Sequence, residues 1–322
     1  MSQTANNSWK TVLKVVLSLT VLAWIFHQAG LEKTLQSLKE ANLWYVPVGV
    51  LIYLSSQVVS SYRWQFLSHA LGFRLGLRTM YEFYLIGMFF NLCIPGAIGG
   101  DVIRMVYLAK ECGRKKREAF LTILAERGVG LAALLILTCI ICFTAAANPL
   151  PITARASVIV LTAGLLLGTL SLRWLPIDRW EVKFPKLALI NQARVFWTDS
   201  DLLLRSIGIS FCNHVVMIIL HMLIAKAMGI QVPLLYMVCV YGIVSLVSVL
   251  PIFFGGLGLR EGAYQLLLAK IGIAPHVGLA FGLYWFLIIL ITSGVGGLVL
   301  IKGHYKTPTA SDSDWEETLE AS

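Results

Sequence analysis

The stretch Asn91–Arg104, NLCIPGAIGGDVIR, interrupts an apolar run with Pro95, Gly96, Gly99 and Gly100, then sets Asp101 and Arg104 one helical turn apart. Proline has no backbone N–H to donate, and glycine permits turns that residues with a Cβ resist. At membrane depth, irregular backbone and charge are tolerated only where protein or a water-filled cavity surrounds them. Membrane depth is the setting that the rest of the chain implies. Of 322 residues, 57% are hydrophobic and 13% charged, with a mean hydropathy of +0.77. Those values exclude an ordinary soluble domain.

A helix needs roughly 20 apolar residues to cross about 30 Å of hydrocarbon. Runs of that kind lie near 11–29, 43–61, 119–146, 156–174, 206–227 and 278–300, and two more, 82–98 and 233–254, end in breaks rich in Pro and Gly. The first run follows Lys10 and Lys14 as a signal peptide would, but no small-residue cleavage site follows, so it reads as an uncleaved span. The net charge of +9 gathers in short loops beside the spans, and no nucleic-acid motif accompanies it, so no nucleic-acid partner is expected. The six cysteines lie in apolar runs or, for Cys112, in a basic loop, which argues against a disulfide framework. The pair Cys139 and Cys142 has no second ligand pair and implies no metal.

Charge bias sets the topology. Lys10 and Lys14 place the N-terminus in the cytoplasm, Arg63, Arg74 and Arg78 bring the chain back there, and the six bases Arg104, Lys110, Arg114, Lys115, Lys116 and Arg117 do so again. Both ends of the segment Glu82–Asp101 then lie on one side, which describes a re-entrant hairpin. The device recurs at Leu250–Ala263, LPIFFGGLGLREGA: placing Pro95 on Pro251 puts Gly99 on Gly255, Gly100 on Gly256 and Arg104 on Arg260. Each copy sits between spans, giving repeat A (about 43–146) and repeat B (about 206–300), joined by a basic cytoplasmic linker (about 175–205).

With Lys302 and Lys306 inside, the second hairpin enters from the opposite face, and the two units are inverted copies. The expected fold is an all-α integral membrane protein of about six spanning helices plus two re-entrant hairpins, in a single polytopic domain over 1–303. An acidic disordered tail follows over 304–322. Arg260 on the outer side offends the charge rule, so eight spanning helices is the alternative; two kinked spans sharing glycines for close packing would read the same way. Paired Pro/Gly-broken segments in inverted halves point to a transport site near the midplane.

The intramembrane charges need partners. In TILAERGVGL, Glu126 and Arg127 stand two turns inside a span, and adjacent helix residues point about 100° apart, so each needs a partner elsewhere. The economical pairs are Asp101 with Arg127 and Arg104 with Glu126. The last span is uncharged, which leaves Arg260, beside Glu261, free for an anion; a guanidinium grips phosphate with two parallel hydrogen bonds. The candidate substrate-binding set is therefore Asp101, Arg104, Glu126, Arg127, Arg260 and Glu261. Pro95, Gly99, Gly100, Pro251, Gly255 and Gly256 are the candidate hairpin gates. His214 and His221, seven apart on one helix face, make either a proton relay or hydrogen bonds to neighbouring helices. Tyr53, Ser55, Ser56, Gln57, Ser60 and Ser61 give the second span a polar strip. No Walker loop, HExxH or GxSxG occurs, so no catalytic residue, cofactor or metal is expected. Any uphill step would draw on an ion gradient, the membrane potential or the lipid's own gradient.

NLCIPGAIGGDVIR, LAERGVGL and LPIFFGGLGLREGA, in this order and spacing, resemble the lysylphosphatidylglycerol synthase transmembrane, or flippase-like, family over roughly residues 10–303. That family is the membrane half of bacterial multiple peptide resistance factors. The resemblance implies a protein of the bacterial inner membrane that moves a phospholipid, aminoacyl-phospholipid or polyprenyl- or hopanoid-type lipid between leaflets. As the sequence ends at Ser322, the expectation is the membrane half without the fused lysine-transferring domain. Two alternatives stay open: a non-transporting scaffold for a separately encoded lipid-modifying enzyme, and a membrane enzyme acting on lipid-linked substrates. The expected partners are membrane lipids, and a homodimer is left open.

Overall fold

A computed structural model of the chain describes residues 20, 23–24, 26–93, 99–174, 188–249, 258–303 and 305. In lipid every backbone N–H and C=O must be satisfied within the segment, and the apolar runs accordingly become helices. The helices among the described residues are α1 (Leu31–Glu40), α2 (Tyr45–Ala70), α3 (Leu77–Cys93), α4 (Gly99–Glu111), α5 (Lys116–Cys142), α6 (Ile152–Trp174), α7 (Ala188–Ala193), α8 (Val195–Thr198), α9 (Ser200–Ala227), α10 (Leu234–Val249), α11 (Leu259–Ala269) and α12 (Pro275–Lys302). Local signals set several starts. Asp199 accepts from the Leu202 N–H at 3.0 Å to cap α9, and Pro275 opens α12, where its missing N–H costs nothing.

By length and composition, α5, α6, α9 and α12 can each cross a bilayer, and α2 joins them when taken with α1, from which it is bent by 87°. The first expected span lies mostly outside the described residues; residues 26–29 are helical. Pro95, Pro251, Gly255 and Gly256 also lie outside them, as does the acidic tail apart from Tyr305. Tyr305 is docked: its hydroxyl donates to Glu82 at 2.5 Å and its ring packs on Phe83 and Tyr107.

The helix order after α1 occurs twice. Shifting the boundaries of α2, α3, α4 and α5 by the offset that aligns Pro95 with Pro251 lands them, within a few residues, on α9, α10, α11 and α12. The two copies run in opposite senses. The Asn42 N–H, just before α2, donates to Ala227 O; Gly49 lies against Leu220; and Arg63 reaches Ser210 at 2.8 Å. Numbers rise along α2 as they fall along α9, so the corresponding helices are antiparallel.

Each copy holds a hairpin. On the first, the Asn91 side chain accepts from Gly100 N–H at 2.8 Å, Gly87 touches Arg104, and Phe83 stacks on Tyr107, so α3 and α4 lie antiparallel. On the second, the Tyr236 hydroxyl donates to Leu267 O at 2.6 Å across α10 and α11. At 1.5 Å per residue, none of these arms exceeds about 26 Å, short of a hydrocarbon crossing. Each hairpin packs on the last span of the other copy, α3 on α12 and α10 on α5. Glycine makes both crossings close. A Cβ on Gly296 would fall 2.0 Å from Leu85 O, and one on Gly242 would fall 2.0 Å from the Thr138 hydroxyl.

Exposure is inverted relative to a soluble protein. Leu161, Leu166, Leu167 and Leu170 of α6 face outward, while Ser56, Gln57, Ser60 and Ser61 of α2 are buried. The buried serines Ser56 and Ser61 satisfy themselves on carbonyls of their own helix. Cys112, Cys139, Cys142, Cys212 and Cys239 are free thiols.

Candidate functional site

The charges in the first copy converge. Glu126 lies about 15 Å along α5 and is 2% exposed. Its two oxygens are held by different arginines: Arg104 Nη2 reaches Oε2 at 3.1 Å, and Arg63 Nη2 is bonded to Oε1. Arg104 also reaches Asp101 at 3.4 Å, and Arg127 meets Asp101 at 2.5 Å. Both cross-helix pairs that the spacing suggested are therefore present. The Arg104 guanidinium lies over the Trp64 and Tyr84 rings, at 4.1 and 4.0 Å from their centroids, an arrangement favourable to a desolvated cation.

Arg63 is the residue that the sequence reading misplaced. A span over 43–61 makes it a loop charge, but α2 continues to Ala70 and buries it. Its second Nη donates to Ser210 at 2.8 Å, tying the network to α9. Gly130 makes room for it: a Cβ there would lie 3.1 Å from Arg63 Nη1. The apolar pattern around it, with Trp64, Phe66 and Leu67, was the available signal that the helix goes on.

These groups line a cavity of about 270 Å³ walled by Tyr53, Gln57, Tyr84, Asn91 and the five charged residues. Three guanidiniums against two carboxylates leave one positive charge. The Nε donors of Arg63 and Arg104 are buried without a hydrogen-bond partner among the described residues. Such an orphan costs roughly 1–3 kcal/mol.

The corresponding place in the second copy holds a cavity of about 230 Å³, walled by His221, Tyr241, Ser245, Ser248, Arg260, Tyr264 and Trp285 among others. Here the expectation of a free Arg260 is corrected. Its Nε and Nη2 both donate to Glu261 Oε1, at 2.9 and 2.5 Å. Adjacent residues pair here because they sit in the first turn of α11, where Glu261 bends back to accept from Gly258 N–H at 2.7 Å and brings its carboxylate beside Arg260. Nη1 of Arg260 has no partner among the described residues.

The histidines bridge helices. His214 meets Gly130 O on α5 at 3.0 Å and the Tyr241 hydroxyl on α10 at 2.8 Å. His221 meets Met217 O on its own helix at 2.7 Å and the Tyr264 hydroxyl on α11 at 2.6 Å. A carbonyl can only accept, so each ring donates one N–H to it and accepts from a tyrosine with the other nitrogen. Gly99 and Gly100 open α4. A Cβ on Gly100 would lie 2.0 Å from Gly87 O, so this glycine holds the hairpin arms together.

A family model described as the lysylphosphatidylglycerol synthase TM region matches residues 11–297. A UPF0104 membrane protein of Methanothermobacter thermautotrophicus is 24% identical over 300 residues, covering 84% of this chain and 88% of that protein. A UPF0104 membrane protein of Pyrococcus horikoshii is 22% identical over 189 residues, covering 58% of this chain and 55% of its own, and one of Methanocaldococcus jannaschii is 31% identical over 129 residues, covering 40% and 38%. No solved structure matches the chain. With the match running through both repeats and every charged residue of the two cavities, the chain belongs to the lysylphosphatidylglycerol synthase transmembrane-region family.

Proposed function

We propose that the protein carries the polar headgroup of an anionic or aminoacylated lipid between the leaflets of the plasma membrane, with its N-terminus on the cytoplasmic side. The observation that carries this reading is the cluster of five charged side chains lining a cavity inside an apolar helical bundle. A charge at membrane depth costs on the order of 2.5–3.5 kcal/mol on insertion scales. Well-packed apolar residues are often as stable as a buried ion network, or more stable. Stability alone therefore gives little reason to keep five such groups at a cavity wall, whereas binding a polar group within lipid does.

In this reading the single positive charge in excess among the five charged side chains draws the phosphate into the first cavity. Arg260, which shares the wall of the second cavity with Ser245 and Ser248, takes it there. Asp101 and Glu126 orient the arginines and accept from a cationic headgroup when there is one. The step is transport, and no bond is made or broken. A phospholipid analogue with a photoreactive headgroup tests it. Crosslinks should map to α3 and α10, which wall the cavities, and unlabelled anionic lipid should compete. Crosslinks confined to the outward-facing side of α6 would sink the proposal.

A further inference from the structure

Resting on that reading, we infer that Tyr53 and Trp285 form the partition between two half-sites of one headgroup path, and that parting their rings joins the halves. Tyr53, on α2, lines the first cavity. Trp285, on α12, lines the second. The two rings meet edge to face, with centroids 4.9 Å apart and planes at 72°. Each wall thus contributes one aromatic ring to a shared contact, and each ring comes from a different copy of the repeat.

Size points the same way. At about 270 and 230 Å³, each cavity alone falls short of the roughly 300–1,000 Å³ usual for a small-molecule site. Joined, at about 500 Å³, they lie within that range. The Tyr53 hydroxyl makes no hydrogen bond among the described residues, which leaves a polar group at the partition for a passing headgroup. On its other side Trp285 leans on His221, at 5.2 Å between centroids, and His221 is pinned by Tyr264. Movement of the partition is therefore easiest on the Tyr53 side, where the ring lacks such an anchor.

The test reads access and does not depend on lipid movement. In a variant with the native cysteines replaced, Met88→Cys reports on the first cavity and Ser245→Cys on the second. A membrane-impermeant thiol reagent is added to right-side-out or inside-out vesicles. With the rings intact, each position should react from one side only, the two from opposite sides. Tyr53→Ala, or the milder Trp285→Leu, should let each position react from both sides, with labelling from the formerly closed side rising at least tenfold. An unchanged pattern in both variants, or two-sided labelling with the rings intact, overturns the partition. Failure of the native protein to move lipid would instead remove the proposed function, while the labelling result would still decide whether a partition exists.

Discussion

Arg104 on α4 and Glu126 on α5 meet at 3.1 Å, and this bond latches the first hairpin to the span that follows it. Because Arg63 holds the other oxygen of the same carboxylate, Glu126 keeps two guanidiniums in place at once.

Removing that carboxylate should cost more than one ion pair. Glu126→Gln leaves Arg63 and Arg104 without the charge that separates them, and breaking a buried pair costs about 3–5 kcal/mol. Thermal unfolding of purified Glu126→Gln in detergent should show a loss of that order. Arg63→Met should show a comparable loss, and the double variant Arg63→Met/Glu126→Gln should fall short of the sum by about 1–3 kcal/mol, as residues in one network do. Additive losses would mean that the two do not interact.

The second latch, Asp101 with Arg127, is half open to its surroundings, Arg127 being 43% exposed. Screening reduces its value. Asp101→Asn should therefore cost less than Glu126→Gln, roughly 1–2 kcal/mol. The exchanged pair Asp101→Arg/Arg127→Asp should recover only part of this, because the new arginine also faces Arg104. Full recovery would show that Arg104 does not sense residue 101.

Gly100→Ala should push α3 and α4 apart, since the added carbon would meet backbone of Gly87 and not a side chain that can move. Overpacking of this kind costs about 1–3 kcal/mol. Gly128→Ala is the control. Nothing lies within 4 Å of its Cβ position, and alanine is the better helix former by up to about 1 kcal/mol, so it should be neutral or stabilising. Equal effects would remove the close approach as the explanation.

These contrasts show what could be read from sequence. The spans, the two breaks and the pairing of Asp101 with Arg127 and of Arg104 with Glu126 follow from hydropathy, helix geometry and the expense of unpaired charge in lipid. Arg63 escaped because a single base past an apolar run looks like a flank until the helix is known to continue through Trp64 and Leu67. Arg260 was misread because its partner is its own neighbour, and that contact depends on Glu261 turning back onto the Gly258 N–H at a helix start. The Tyr53–Trp285 contact joins residues far apart in the chain, and no local pattern marks it.

The histidine bonds make a further distinction testable. Each ring donates to a backbone carbonyl, which cannot carry a proton onward, and among the described residues no hydrogen bond links His214 to His221. Tyr264→Phe should therefore cost about 1 kcal/mol in stability while leaving the response of lipid movement to an imposed pH gradient as in the native protein. Loss of a gradient-driven rate in Tyr264→Phe would restore the relay.

The most direct measurement is leaflet exchange of headgroup-labelled lipids in liposomes holding the purified protein, with Glu126→Gln and Arg260→Ala variants shown to be folded. Exchange should be selective for headgroup, well above protein-free liposomes and at least tenfold slower in both variants. Exchange no faster than in protein-free liposomes for anionic, aminoacylated and polyprenyl-linked lipids alike, with and without a membrane potential, would contradict it.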